Sequence, residues 1–173
     1  SETEMSQGAI INKRTDVQLL PWQQNLLDVV ADDSGSRTVY WVVDEVGGGG
    51  KSLMSQYLIR NRKGIIFNDF NYRDNSFLYD SEEVVVFDIP RDTSLSQCSL
   101  QFLEDLKNGY LVSQKYEVKR KIFKIPTVIV FTNTRPIKEK LSLDRWHVLN
   151  MYESIGGEIR FERLLDYNVL DFN

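Results

Sequence analysis

Lys51 and Ser52 follow four consecutive glycines in the stretch VYWVVDEVGGGGKSLMSQYLI, residues 39–59. A lysine and a hydroxyl directly after a glycine turn are residue types suited to holding a polyphosphate. Small residues let backbone N–H groups converge on phosphate oxygens. A helix beginning there adds about half a positive charge. Lys51 would reach the β- and γ-phosphates and Ser52 would ligate Mg2+. On this reading Val46, Gly47, Gly48, Gly49, Gly50, Lys51, Ser52 and Leu53 form the cradle, with ATP as ligand and Mg2+ as cofactor. One departure stands out. The position where this pattern usually opens with glycine is Glu45, preceded by Asp44. Two carboxylates near a polyphosphate are unfavourable unless they point away. A glycine-rich turn with an incidental Lys-Ser is the plainer alternative, and the pattern alone does not separate helicase, kinase and GTPase.

Such chemistry also needs an acid at the end of a neighbouring strand to hold the Mg2+ shell. Val84-Val85-Val86-Phe87-Asp88 offers one, and Asp88 joins Ser52 as the expected metal pair. Many ATPases carry a second acid immediately after it. Here Ile89 and Pro90 follow, so no general base is assigned. Val128-Ile129-Val130-Phe131-Thr132-Asn133 ends in an amide that can hydrogen-bond a water or the γ-phosphate. An exposed Asp after a strand and an Asn in a turn are the ordinary alternatives for each. Lys51, Asp88 and Asn133 together, each at an end of a buried element, make the stronger case.

The elements that must position these residues can be read from pattern. Residues 16–32 predict a helix starting near Pro21, a favourable first-turn residue, with Trp22, Leu26, Val29 and Val30 at helical spacing. Strands are predicted at 38–43, 65–67, 83–88 and 127–131, where β-branched and apolar runs dominate. Helices are predicted at 51–61 and at 96–108, the latter ended by Gly109 as a C-cap. Residues 115–124 suggest a hairpin, and the tail resists assignment. Strands alternating with helices imply an α/β fold, a parallel sheet flanked by helices, whose ligands sit beyond the carboxyl ends of the strands.

The chain as a whole sets bounds. Its 173 residues suit one domain with a short appendage, and a formal charge of −4 argues against a surface coated in positive charge. Local charge is uneven, however. One cysteine, Cys98, cannot form an internal disulfide, and one histidine, His147, makes a dedicated zinc site improbable. No apolar run approaches the ~18 residues of a membrane helix, so no membrane role is expected. Residues 1–15 read as a flexible lead-in.

Several stretches resemble superfamily 3 helicases, and in particular the Rep proteins of circular single-stranded DNA viruses and their satellites. They are Pro21-Trp22-Gln23, VYWVVDEVGGGGKS, VVVFDIPR (84–91), LKNGYLVSQKY (106–116), TVIVFTN (127–133) and LSLDRW (141–146). The resemblance implies an AAA+-like P-loop NTPase over 37–150, preceded by a helical oligomerisation element at 16–34 and followed by a tail at 151–173. It implies ATP-driven movement on single-stranded DNA by a hexameric ring, with family polarity 3′ to 5′. It also implies a host nucleus as the place of action. The family's P-loops vary at the position of Glu45. Full-length relatives carry a nicking nuclease with a His-x-His pair, which a chain with His147 alone cannot contain.

Two further roles come with the resemblance. The family's channel-facing hairpin falls on 108–124, where Lys115, Tyr116, Lys119, Arg120 and Lys121 are expected to meet DNA, with Lys124 beside them. Phosphate contacts come from lysine and arginine, and an aromatic ring can stack a base. A solvated charged hairpin is the plainer reading. Arg145 resembles the arginine finger that one subunit inserts into its neighbour's ATP site. The competing reading is a salt bridge with Asp144 or another acid, and Arg91 and Arg135 are weaker candidates for the finger. Two rival functions remain at this stage: a small-molecule kinase or nucleotidase, and a scaffold that uses nucleotide only to assemble.

Overall fold

The computed structural model describes residues 18–31, 33, 36–45, 47 and 50–167. The expected lead-in at 1–15, and the cradle positions Val46, Gly48 and Gly49, lie outside the described residues. The chain forms an α/β fold around a six-stranded sheet of order β2-β3-β6-β1-β7-β8. In chain order the elements are α1 (Pro21–Val30), β1 (Val39–Val43), α2 (Lys51–Asn61), β2 (Gly64–Phe67), α3 (Tyr72–Leu78), β3 (Val84–Asp88), α4 (Gln101–Asn108), β4 (Tyr110–Ser113), β5 (Lys119–Ile122), β6 (Thr127–Thr132), β7 (Trp146–Glu153) and β8 (Ile159–Arg163). Strands β2, β3, β6, β1 and β7 are parallel, and β8 returns antiparallel along β7. β4 and β5 form a separate antiparallel hairpin.

The apolar runs follow from helices on both sheet faces. Val39, Trp41 and Val43 of β1 face a core with Phe67, Phe87 and the α4 residues Phe102, Leu103 and Leu106. Tyr40 and Val42 face the opposite core, with Trp22, Leu26 and Val30 of α1 and Met54 and Leu58 of α2. A strand buried on both faces has no reason to alternate with polar residues. Burying each of these large side chains contributes about 1.5–3 kcal/mol.

Several boundaries differ from the sequence reading. The helix expected at 96–108 begins at Gln101, after a short 3-10 turn at Leu95–Gln97. Its end is as expected, with Gly109 at a φ of 76°. In the segment expected as an oligomerisation element, α1 buries Trp22 and Leu26 in the core. β7 runs across position 150, and β8 lies beyond it in the same sheet. Helix α3 was not foreseen. Among the described residues, no helix is long and apolar enough to cross a membrane.

Candidate functional site

β1 lies between β6 and β7, and β3 lies on the far side of β6. The strand beside the glycine loop is therefore the one ending at Asn133, and the Asp88 strand is one place further out. Register brings their ends level. Val43 pairs with Thr132, and Asp88 pairs with Phe131. Beyond the ladder, Asp44 N–H donates to the Thr132 carbonyl at 2.9 Å and Ile89 N–H to the Phe131 carbonyl at 3.0 Å. Asp44, Asp88 and Asn133 thus share one edge of the sheet, at the carboxyl ends of its strands. Asn133 Nδ2 donates to the Asp44 carbonyl at 2.8 Å, which couples the two strand ends directly.

From Asp44 the chain turns toward α2. The Asp44 side chain answers the difficulty raised by the two acids. It is 4% exposed, and its Oδ1 accepts the Gly47 N–H at 2.9 Å. Oδ2 has no hydrogen-bond partner among the described residues and lies 3.9 Å from Lys51 Nζ, beyond hydrogen-bond reach but close enough for charge attraction. Glu45 points elsewhere and pairs with Arg135 at 3.5 Å, where both side chains are about half exposed. Asp44 therefore shapes the turn and neutralises the lysine, while Glu45 is drawn away by an arginine.

The described glycines of the loop are needed as glycines. Gly47 has a φ of +85° and Gly50 a φ of +90°, a region that other residues enter only under strain. A Cβ on Gly47 would come within 2.5 Å of Arg91 Nη2, so the Arg91 guanidinium rests against the loop. A Cβ on Gly50 would meet Gln23 Nε2 at 3.3 Å. Gln23 is fully buried. It accepts the Leu20 N–H at 2.8 Å and donates to the Gly50 carbonyl at 3.2 Å. Pro21-Trp22-Gln23 thereby clamps α1 to the residue before Lys51, a role the sequence pattern did not reveal. Lys51 is half-buried and Ser52 exposed, both in the first turn of α2; Leu53 follows them, half-buried. Asp88 is half-buried at the end of β3. One hydroxyl and one carboxylate are a hard-oxygen donor set that fits Mg2+, which keeps several waters and phosphate oxygens of its own.

Arg145, which the resemblance makes an arginine finger, is buried. Its side chain is 1% exposed and is held within its own protomer. Nε bonds Glu104 Oε2 at 3.0 Å, and Nη2 donates to Asn108 Oδ1 at 2.6 Å. Nη1 donates to the carbonyls of Arg37 and Lys107 at 3.2 and 3.3 Å. A cation at a helix C-terminus satisfies its last carbonyls and opposes its dipole, and Arg145 does this for α4. The acid is Glu104, whereas Asp144 pairs with Arg37 at 2.6 Å. Desolvation alone would raise Glu104, but hydrogen bonds from Ser142 and the charge of Arg145 hold it below the usual carboxylate range. Beside this network lies Lys107, also buried, donating to the Pro126 carbonyl at 2.6 Å and facing Asp33. Burial pushes the Lys107 ammonium down to about 8, partly countered by Asp33.

The basic hairpin exists, with strands at 110–113 and 119–122. Its cations are not equivalent. Lys119 and Arg120 are exposed, as is Lys124 just after β5. Lys121 turns inward, and its Nζ donates to the carbonyls of Ser76, Phe77 and Tyr79 at 2.7, 3.0 and 2.6 Å. Lys121 was expected to meet DNA; here its ammonium is spent on these three carbonyls. Burial, then the nearby Lys119 charge, lowers its pKa. Lys115 is partly committed to Asp74 at 3.2 Å.

No protein-family model matches the chain. Among curated proteins it is similar to the master replication protein of Milk vetch dwarf virus, 31% identical over 130 residues, which are 75% of this chain and 45% of that protein. The Para-Rep C1 of Faba bean necrotic yellows C1 alphasatellite is 32% identical over 144 residues, 81% of this chain and 51% of that one. The master replication protein of Banana bunchy top virus is 32% identical over 124 residues, 72% and 43% of the two chains. The chain spans about half the length of the curated relatives it matches.

Proposed function

We propose that this homologue of viral replication proteins is the ATP-driven motor of a rolling-circle replication initiator, a P-loop ATPase that moves on single-stranded DNA. The observation that carries the reading is the register of β1, β6 and β3. It sets Asp44, Asn133 and Asp88 level beside a glycine turn that leads into Lys51 and Ser52. The similarity to replication proteins supports the biological context.

In this reading the β- and γ-phosphates of ATP occupy the turn before α2. Lys51 leaves Asp44 and neutralises their charge. Ser52 and Asp88 would hold Mg2+, which would supply positive charge against the phosphates. Asn133, fixed through the Asp44 carbonyl, presents its remaining amide oxygen to the attacking water. Water adds to the γ-phosphorus, the bond to the bridging oxygen breaks, and ADP and phosphate leave. Gln23 ties the last residue of the loop, Gly50, to α1. Lys119 and Arg120 on the hairpin meet DNA phosphates, and an oligomeric ring, hexameric as the resemblance implies, would gather these cations around one strand despite the net charge of −4.

Lys51→Ala and Asp88→Ala test the assignment. Each is expected to lower ATP turnover at least 100-fold while far-ultraviolet circular dichroism is unchanged. Retained turnover in folded Lys51→Ala protein would exclude the site.

A further inference from the structure

β3 ends at Asp88, and the residues beyond it are held in place. Ile89 is buried, and its N–H donates to the Phe131 carbonyl at 3.0 Å. Pro90 follows, and the Thr93 N–H donates back to the Pro90 carbonyl at 3.1 Å. Residues 90–93 are therefore a tight turn with Arg91 in its second place. The buried Ile89, the fixed φ of proline and the turn bond together set the direction in which Arg91 leaves the backbone.

That direction leads to the glycine turn. β6 separates β3 from β1, yet Arg91 Nη2 lies 2.5 Å and Cζ 3.8 Å from where a Cβ on Gly47 would stand. The guanidinium thus spans the sheet edge at which Asp44, Asn133 and Asp88 are level. The other nearby cations are placed differently. Lys51 faces Asp44 at 3.9 Å, Arg135 pairs with Glu45 at 3.5 Å, and Arg145 is buried in its own network. Phosphates in the turn would therefore meet Lys51 at its end and Arg91 at its start. Arg91 follows Asp88 by three residues, so it approaches from the side of the expected Mg2+, where the β- and γ-phosphates belong.

We propose that Arg91 contacts the γ-phosphate of the ATP bound in its own subunit, and that this cation, not a neighbour's, neutralises the charge of the transition state. The inference rests on reading the turn before Lys51 as the phosphate site, and it adds the arginine and the subunit that the arginine serves. In hydrolysis the water oxygen bonds to the γ-phosphorus, and the bond to the bridging oxygen breaks with its electron pair going to ADP. One proton of the water stays on the phosphate and the other passes to solvent. A guanidinium offers two donors in a fixed fork to the oxygens that carry this charge, and it takes no part in the proton transfer. Where many ATPases place a second acid, Ile89 and Pro90 lead instead to this cation. A subunit interface closing over the exposed Arg91 would exclude water and strengthen its pull, so assembly still raises turnover.

The test is the difference between ATP and ADP, because only ATP carries the phosphate that Arg91 would touch. Affinities for fluorescent ATP and ADP analogues, each with Mg2+, are measured for the wild type, Arg91→Ala, Arg91→Lys and Lys51→Ala at concentrations where sedimentation shows monomers. Arg91 is exposed, so its variants should keep the wild-type Tm. Arg91→Ala should lose ATP affinity by about 10-fold or more while ADP affinity stays nearly unchanged, and Arg91→Lys should recover part of the loss. At concentrations where subunits assemble, Arg91→Ala turnover should fall by ~10³-fold. An equal loss for ATP and ADP, or no loss for either, overturns the proposal. A preference for ATP that appears only in assembled protein assigns the cation to a neighbour and overturns it too, while leaving the phosphate site standing. ATP binding that survives Lys51→Ala unchanged removes the phosphate site itself, and the role of Arg91 with it.

Discussion

Replacing Arg145 by alanine separates a structural cation from a catalytic one. The guanidinium is buried and bonds Glu104, Asn108 and the carbonyls of Arg37 and Lys107. Its loss strands a carboxylate that the arginine had neutralised and leaves α4 carbonyls without a donor. Removing one partner of a buried pair is worth about 3–5 kcal/mol. For a chain of this size, that corresponds to a fall in Tm of roughly 10 °C or more. Urea and thermal denaturation read the change directly, with Arg145→Lys expected to recover only part of it, because lysine cannot reach four acceptors at once. An arginine acting on a neighbour's nucleotide would behave otherwise. Arg145→Ala would then keep the wild-type Tm while ATP turnover dropped by ~10³-fold. That result would refute the burial argument.

Three further outcomes are expected. Asp44→Asn keeps the acceptor for Gly47 N–H but removes a negative charge 3.9 Å from Lys51; nucleotide affinity should rise several-fold, by about 1 kcal/mol, in a titration with a fluorescent ATP analogue. Tyr116→Gly relieves the positive φ and should leave stability unchanged or raise it by up to ~1 kcal/mol, while single-strand binding measured by anisotropy weakens. Burial, then the Arg163 charge, lowers the His147 imidazole from 6.5 to about 4. The folded chain stays neutral there while the unfolded chain takes up a proton, so stability should fall as pH drops from 6.5 toward 4. His147→Gln should flatten that part of a Tm-against-pH curve.

What could be read in advance follows burial. β1, β3 and β6 are covered on both faces, so their apolar runs announce them, and the α2 boundaries follow from the glycine turn before Lys51. β7 is equally central, but His147 and Asn150 interrupt its pattern, and its neighbours along β1 are set by register alone. The seven residues of α3 present mostly polar side chains and give too little periodicity to detect. Charged residues misled most. Arg145 and Lys121 look like surface cations in sequence, yet each is spent on carbonyls far along the chain. The same blindness concealed the Gln23 clamp on Gly50, since the two residues meet only after α1 docks on the sheet.

On the proposed function, the turn before Lys51 drives ATP hydrolysis coupled to a DNA strand. ATP turnover per subunit, measured across protein concentration with and without single-stranded DNA, tests it most directly. Turnover should rise as subunits assemble, increase with DNA and disappear in Lys51→Ala. Turnover that is indifferent to both DNA and Lys51, or a folded chain that binds no ATP, would contradict it.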